Sequence, residues 1–216
     1  MGFTQDIIKK ISPFMKQSGY IRKGKCFYYV QNDIAFCVEL DYTGHLLYVT
    51  YYFMPLYIPA LNRYYSYGNR LNSHPQSKLS TLDANATKEQ ISFWLEELIY
   101  EIKHLVNPFF ADVSNPSKVI QYLHSDNINI QHIHCPEIQI NRLLLFTHSY
   151  LHNKEDIIYQ ANKMHRCIQS CTFLSPKILD KYLDETRQMV ALNNCLDKEI
   201  DEHYVNTISR TKEACF

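Results

Sequence analysis

The sequence predicts an α+β fold: an N-terminal helix packed on an antiparallel meander of three or more strands, followed by a mostly helical C-terminal half. Three observations carry this. Ile7, Ile8, Ile11, Phe14 and Met15 recur at helical spacing ahead of Gly19, which sits where a helix-ending glycine belongs. Between residues 26 and 53 the apolar period shortens to two, and the connections are too short for parallel crossovers. From Thr87 onward the apolar period returns to that of a helix.

The first helix is expected at about residues 5–18, with Thr4 as N-cap and Phe3 stapled onto Ile8. Pro13 lies inside it and is expected to kink it or end it early. Cys26 to Gln31 reads as a strand, and Asn32-Asp33 as a two-residue turn. Ile34, Phe36, Val38 and Leu40 alternate with Ala35, Cys37, Glu39 and Asp41, the pattern of a half-buried strand. After a turn at Asp41–Gly44, Leu47, Val49, Tyr51 and Phe53 form the inward face of a third strand, with the first helix as cover. Residues 55–86 lose periodicity and read as irregular.

Thr87 and Gln90 form a capping box for a helix with the stripe Ile91, Trp94, Leu95, Leu98, Ile102 and Leu105. Asn115-Pro116 opens a short helix carrying Val119, Ile120 and Leu123. Further helices start at Pro136-Glu137, at Asn153 with Glu155 and Asp156, and at Ser175-Pro176, the last running to about residue 193. A final helix covers about 197–213, and 137–172 is expected to form an αα-hairpin. The expected organisation is residues 1–86, helix plus sheet with a tyrosine-rich loop, and 87–216, a helical region packed on it.

Composition excludes several function classes. Lys plus Arg equal Asp plus Glu at 22 each, so the chain exerts no overall pull on nucleic acid or an anionic membrane. Five glycines argue against a glycine-rich phosphate loop. The cysteines 26, 37, 135, 167, 171, 195 and 215 are odd in number and unpatterned, which reads as reduced thiols and an expected cytoplasmic location. No apolar run follows a basic stretch at the N-terminus, so a secretory signal is not expected. Asp6 stands where a myristoylation motif wants Ser or Thr. Residues 42–62 lack formal charge but hold two prolines and five tyrosines, too polar and broken for a spanning helix.

Chemistry-bearing candidates are few. His148 and His152 stand at i and i+4, spacing that lets two imidazoles reach one ion. His132, His134, Cys135, His165 and Cys167 lie near in sequence, so a metal-dependent or thiol enzyme built on residues 132–171 is one alternative. No glutamate completes a zinc-protease pattern, however, and polar surface is the preferred reading. Cys167 and Cys171, one turn apart, are expected to pack as small hydrophobes. The acidic pairs Glu96-Glu97, Asp184-Glu185 and Asp201-Glu202 read as solvated helix faces. No GxSxG, GxGxxG or Walker-type loop is present, so enzyme activity is the minority reading and no cofactor is expected.

The segment from Tyr57 to Arg70 is the most distinctive. Its Tyr57, Arg63, Tyr64, Tyr65, Tyr67 and Arg70 are residue types enriched in binding hot spots. They would also serve to stack single-stranded RNA bases, or to pack a long loop onto the sheet. Neutral overall charge favours a protein partner over nucleic acid, and no membrane partner is expected.

The run Gly19-Tyr20-Ile21-Arg22-Lys23-Gly24-Lys25-Cys26-Phe27-Tyr28 after a helix resembles a bacterial family of uncharacterised cytoplasmic proteins. Residues 48–59, 62–71 and Arg142–Thr147 look similar to its members, with Tyr20 where phenylalanine is usual. The resemblance implies an α+β fold and transfers no catalytic residue. Some members resemble immunity proteins, so it also implies a binding module that neutralises a cognate toxin.

Overall fold

The computed structural model describes residues 3–63, 67–125 and 136–216. The described residues divide into two compact units: one holds residues 3–54 and 67–114, the other residues 55–63, 115–125 and 136–216. The helices between 88 and 112, expected with the helical half, belong with the sheet.

In the first unit α1 spans Phe3–Gln17 and buries Ile7, Ile8, Ile11 and Met15. Thr4 lies inside its first turn, and the helix passes through Pro13 without ending. Apolar anchors on both sides of the proline, Ile11 and Met15, outweigh the lost backbone bond. The Ser12 hydroxyl donates to the Ile8 carbonyl at 2.6 Å beside it. Gly19, at φ +86°, closes the helix as expected. Its N–H donates to the Lys16 carbonyl and that of Tyr20 to the Met15 carbonyl, the paired bonds of a Schellman motif.

The sheet runs β1 (Ile21–Lys23), β2 (Cys26–Gln31), β3 (Ile34–Thr43), β4 (Leu46–Pro55) and β5 (Gly68–Arg70) in spatial order, with β6 (Leu82–Asp83) also on β4. Its pairings are antiparallel, with Cys26 opposite Glu39 and Gln31 opposite Ile34. Asn32 and Asp33 both take positive φ, as the tight β2–β3 turn demands. Strands β1, β5 and β6 are additional to the expected meander; all are two or three residues long, too short for a period to register.

One face carries Tyr29, Phe36, Tyr51 and Phe53. Phe110 of α3 (Asn107–Asp112) packs on the first three, with centroids 4.9–6.3 Å apart within this cluster. Helix α1 packs on β1 and β3. Strand β3 is buried at every residue from Ile34 to Leu40, not half-buried. Its second face carries Ala35 and Cys37, small enough for a core, and Glu39. Glu39 accepts from the Tyr52 hydroxyl at 3.0 Å and lies 3.5 Å from Lys25. Burial pushes the Tyr52 hydroxyl above its ordinary pKa, and the nearby thiols and Glu39 add to this, so Tyr52 is a donor throughout the physiological range.

Helix α2 (Lys88–Glu101) has the expected Thr87/Gln90 capping box. A π-helical turn, Ile102–Val106, follows. The extra residue rotates the stripe, so Val106 and Phe110 are buried after Ile102 and Leu105 is only half-buried. Irregular residues 71–86 are held by side chains. Asn72 accepts from Val49 N–H, Trp94 donates to the Ser80 carbonyl, and buried Glu101 accepts from Lys78 N–H.

The second unit centres on α5 (Pro136–Tyr150), buried at every residue from 141 to 149. Helices α4 (Pro116–Leu123), α6 (Lys154–Ser170), α7 (Pro176–Leu192) and α8 (Asp197–Cys215) all pack on it. Helices α5 and α6 form the expected αα-hairpin. Among the described residues no helix is long and apolar enough to cross a membrane.

Candidate functional site

Among the described residues of the tyrosine- and arginine-rich segment, both tyrosines are buried. Tyr57, in the second unit, is fully buried, its ring stacked on Tyr150 with centroids 4.5 Å apart. Its hydroxyl lies 3.0 Å from Thr147 Oγ1. Because Thr147 donates to the Leu143 carbonyl at 2.6 Å, Tyr57 is the donor of that bond. Tyr67, in the first unit, is fully buried and stacked on Phe53 at 5.5 Å. Arg63 is half-buried in the second unit; Arg70, half-buried in the first, holds its guanidinium 4.6 Å from the Tyr48 ring centre. Tyr64 and Tyr65 lie outside the described residues. Large rings whose hydroxyls find partners are packing material wherever a chain segment crosses a core, and this outweighs composition here. Gly68 explains the segment's course. A Cβ on it would collide with the Tyr51 carbonyl oxygen, so only glycine lets β5 pair with β4.

The two histidines also part. Helix α5 ends at Tyr150, and His152 takes a left-handed backbone, φ +58°, so helical i, i+4 geometry does not apply to the pair. His152 Nε2 meets Asp201 at 2.9 Å. His148 is buried, its Nδ1 3.4 Å from Asp156 and 3.2 Å from the Asn153 amide. Burial lowers its pKa, Asp156 opposes this, and His124 lowers it further. Its Nε2 is buried without a hydrogen-bond partner among the described residues, which suits the neutral ring better than the cation. His132, His134 and Cys135 lie outside the described residues.

Cys167 and Cys171 pack in a cluster with Ile138, Met164 and Ile168. Burial, aided by Glu137, raises the Cys167 pKa, the reverse of an activated thiolate. Of the acidic pairs, Glu185 is not solvated. Its carboxylate accepts from Arg142 Nε at 2.6 Å and Nη2 at 2.9 Å, a two-bond fork between side chains 13% and 9% exposed. The Arg142 guanidinium also lies 5.2 Å from the Phe146 ring centre and 5.9 Å from that of Tyr182. Arg142 is thus a structural residue of the second unit's core.

The feature that sequence reading missed is a groove in the first unit, about 800 Å³ in volume, between α1 and the edge strand β1. Lys9, Ser12 and Lys16 of α1 line one side; Tyr20, Arg22 and Phe27 line the floor and the other. Tyr20 and Phe27 are 5% and 2% exposed, so the floor is apolar and rigid. The Tyr20 hydroxyl donates to Asn107 at 3.2 Å, and burial pushes its pKa well up, keeping it neutral. Lys9, Lys16 and Arg22 are exposed. Among the described residues none of the three has an acidic partner. The one available signal was Gly24, at φ +65° in the first position of a two-residue hairpin turn, which implies a strand before it. No protein-family model, no curated protein and no solved structure matches this chain.

Proposed function

We propose that the protein is a protein-binding module whose contact site is the α1–β1 groove. The observation that carries this reading is three exposed cations, Lys9, Lys16 and Arg22, placed around an apolar floor, none of them ion-paired with an acid among the described residues. Unpaired charge of one sign at a concave, partly apolar surface attracts a complementary partner and sets its orientation. The resemblance to immunity proteins suggests the kind of partner: a cognate toxin, occluded by binding rather than by chemistry.

The test is affinity capture from a lysate of the source organism, with wild type and a Lys9→Glu/Lys16→Glu/Arg22→Glu variant in parallel. The reading expects a stoichiometric protein partner on the wild type that is lost from the variant at unchanged thermal stability. Equal recovery on both, or no stoichiometric protein on either, contradicts it.

A further inference from the structure

If the groove binds protein, its walls say what form the partner takes. Gln5, Lys9, Ser12 and Lys16 follow i, i+4, i+7, i+11 spacing and make one wall. It is about 16 Å long, the span of about five extended residues. The facing wall is β1, the end strand of the sheet, with no described strand on its outer side.

Lys23 pairs with Cys26 across the two-residue turn, Arg22 with Phe27, and Ile21 with Tyr28. Residues flanking such a turn exchange backbone hydrogen bonds and the next pair does not, so the N–H and C=O of Arg22 point outward. Arg22 therefore offers the groove a cation, on the face of Phe27, and the open edge a backbone donor and acceptor. A three-residue edge carrying Arg22 and Lys23 resists indiscriminate strand pairing, and the same charges favour a strand that carries acids.

We propose that the groove binds an extended acidic segment of a partner protein, about five residues long, added to the sheet alongside β1 with carboxylates against Lys9, Lys16 and Arg22. This rests on the protein-binding reading above. A nucleic acid fits less well, because Tyr20 and Phe27 are buried and present no ring face for a base.

Three fluorescein-labelled probes test it at low salt by fluorescence polarisation: the hexapeptide (Val-Glu)3, its counterpart (Val-Lys)3 and a twelve-residue oligouridylate. The glutamate peptide is expected to bind, and the other two are not. Arg22→Ala should weaken it about two- to fivefold, the value of an exposed ion pair. Arg22→Pro, which also removes the outward N–H, should weaken it at least about tenfold while leaving the fold intact, since proline is tolerated at such an edge position. Should Arg22→Pro melt early, hydrogen exchange of the Arg22 amide in the wild type replaces it, with slowing on peptide addition as the expected result. Binding of both peptides alike, binding of the RNA in preference to the acidic peptide, or an Arg22 amide unmoved by the peptide would each overturn the proposal. A native partner captured by wild type and lost on charge reversal, with the Arg22 amide unmoved, would remove strand addition and leave the binding reading standing.

Discussion

Replacing Glu185 with alanine should strongly destabilise the second unit. The mutation removes the carboxylate that accepts both bonds of the fork from the Arg142 side chain, which is 9% exposed. Removing one partner of a buried pair costs up to about 3–5 kcal/mol, and what is lost here is a two-bond fork to a side chain only 9% exposed. Against a whole-protein stability of about 5–15 kcal/mol this is a large fraction. The charge, rather than the lost atoms, should dominate. Arg142→Met with Glu185→Leu removes both charges and restores apolar volume. It should therefore cost less than the two single changes together, with a coupling of about 2 kcal/mol or more. Part of the Arg142→Met cost is the contact with Phe146 and Tyr182, about 0.5–1 kcal/mol per ring. Urea unfolding followed by far-UV circular dichroism measures these effects. Trp94, the single tryptophan, belongs to the first unit and reports on that unit separately. A Glu185→Ala variant within about 1 kcal/mol of wild type would refute the reading of the Arg142–Glu185 fork as a buried pair on which the second unit depends.

Gly68→Ala should cost about 3 kcal/mol or more and release β5 from β4, since its Cβ meets backbone rather than a movable side chain; backbone amide exchange at Gly68–Arg70 is the readout. Because His148 has a folded pKa below its unfolded value of about 6.5, its neutral form is the one that fits. Stability is full above about pH 6.5 and declines as pH falls toward the folded value, at no more than about 1.4 kcal/mol per pH unit from this group. His148→Gln should flatten that part of the stability–pH curve, and an unchanged curve would assign the decline elsewhere. Cys167, with its raised pKa, should react with a disulfide reagent at pH 7 more slowly than a free thiol in solution; mass spectrometry of timed aliquots checks it.

Much of the fold was legible because periodicity is a local property. The alternation of Ile34–Leu40 and Leu47–Phe53 placed β3 and β4, and Gly19 and Thr87 marked helix ends through their own capping chemistry. What escaped depends on neighbours distant in sequence. Glu185 looks like any exposed acid until α7 packs on α5 and brings Arg142 to it. The π-helical turn at Ile102–Val106 shifts a stripe without any compositional mark. Tyr57 and Tyr67 share a segment and a composition yet bury themselves in different units. The stripe Gln5, Lys9, Ser12, Lys16 reads as an ordinary solvated helix face, and only the placement of β1 beside it makes a groove.

The central claim is that the α1–β1 groove is where this protein holds its partner. Its most direct test is the dissociation constant of the captured partner, measured across a salt series for wild type and for Lys9→Glu/Lys16→Glu/Arg22→Glu. Wild-type affinity should fall steadily as salt rises, and the variant should bind at least about a hundredfold more weakly at low salt, as expected when three favourable charges become repulsive. Equal affinities with the same salt dependence would place the contact site elsewhere on the molecule.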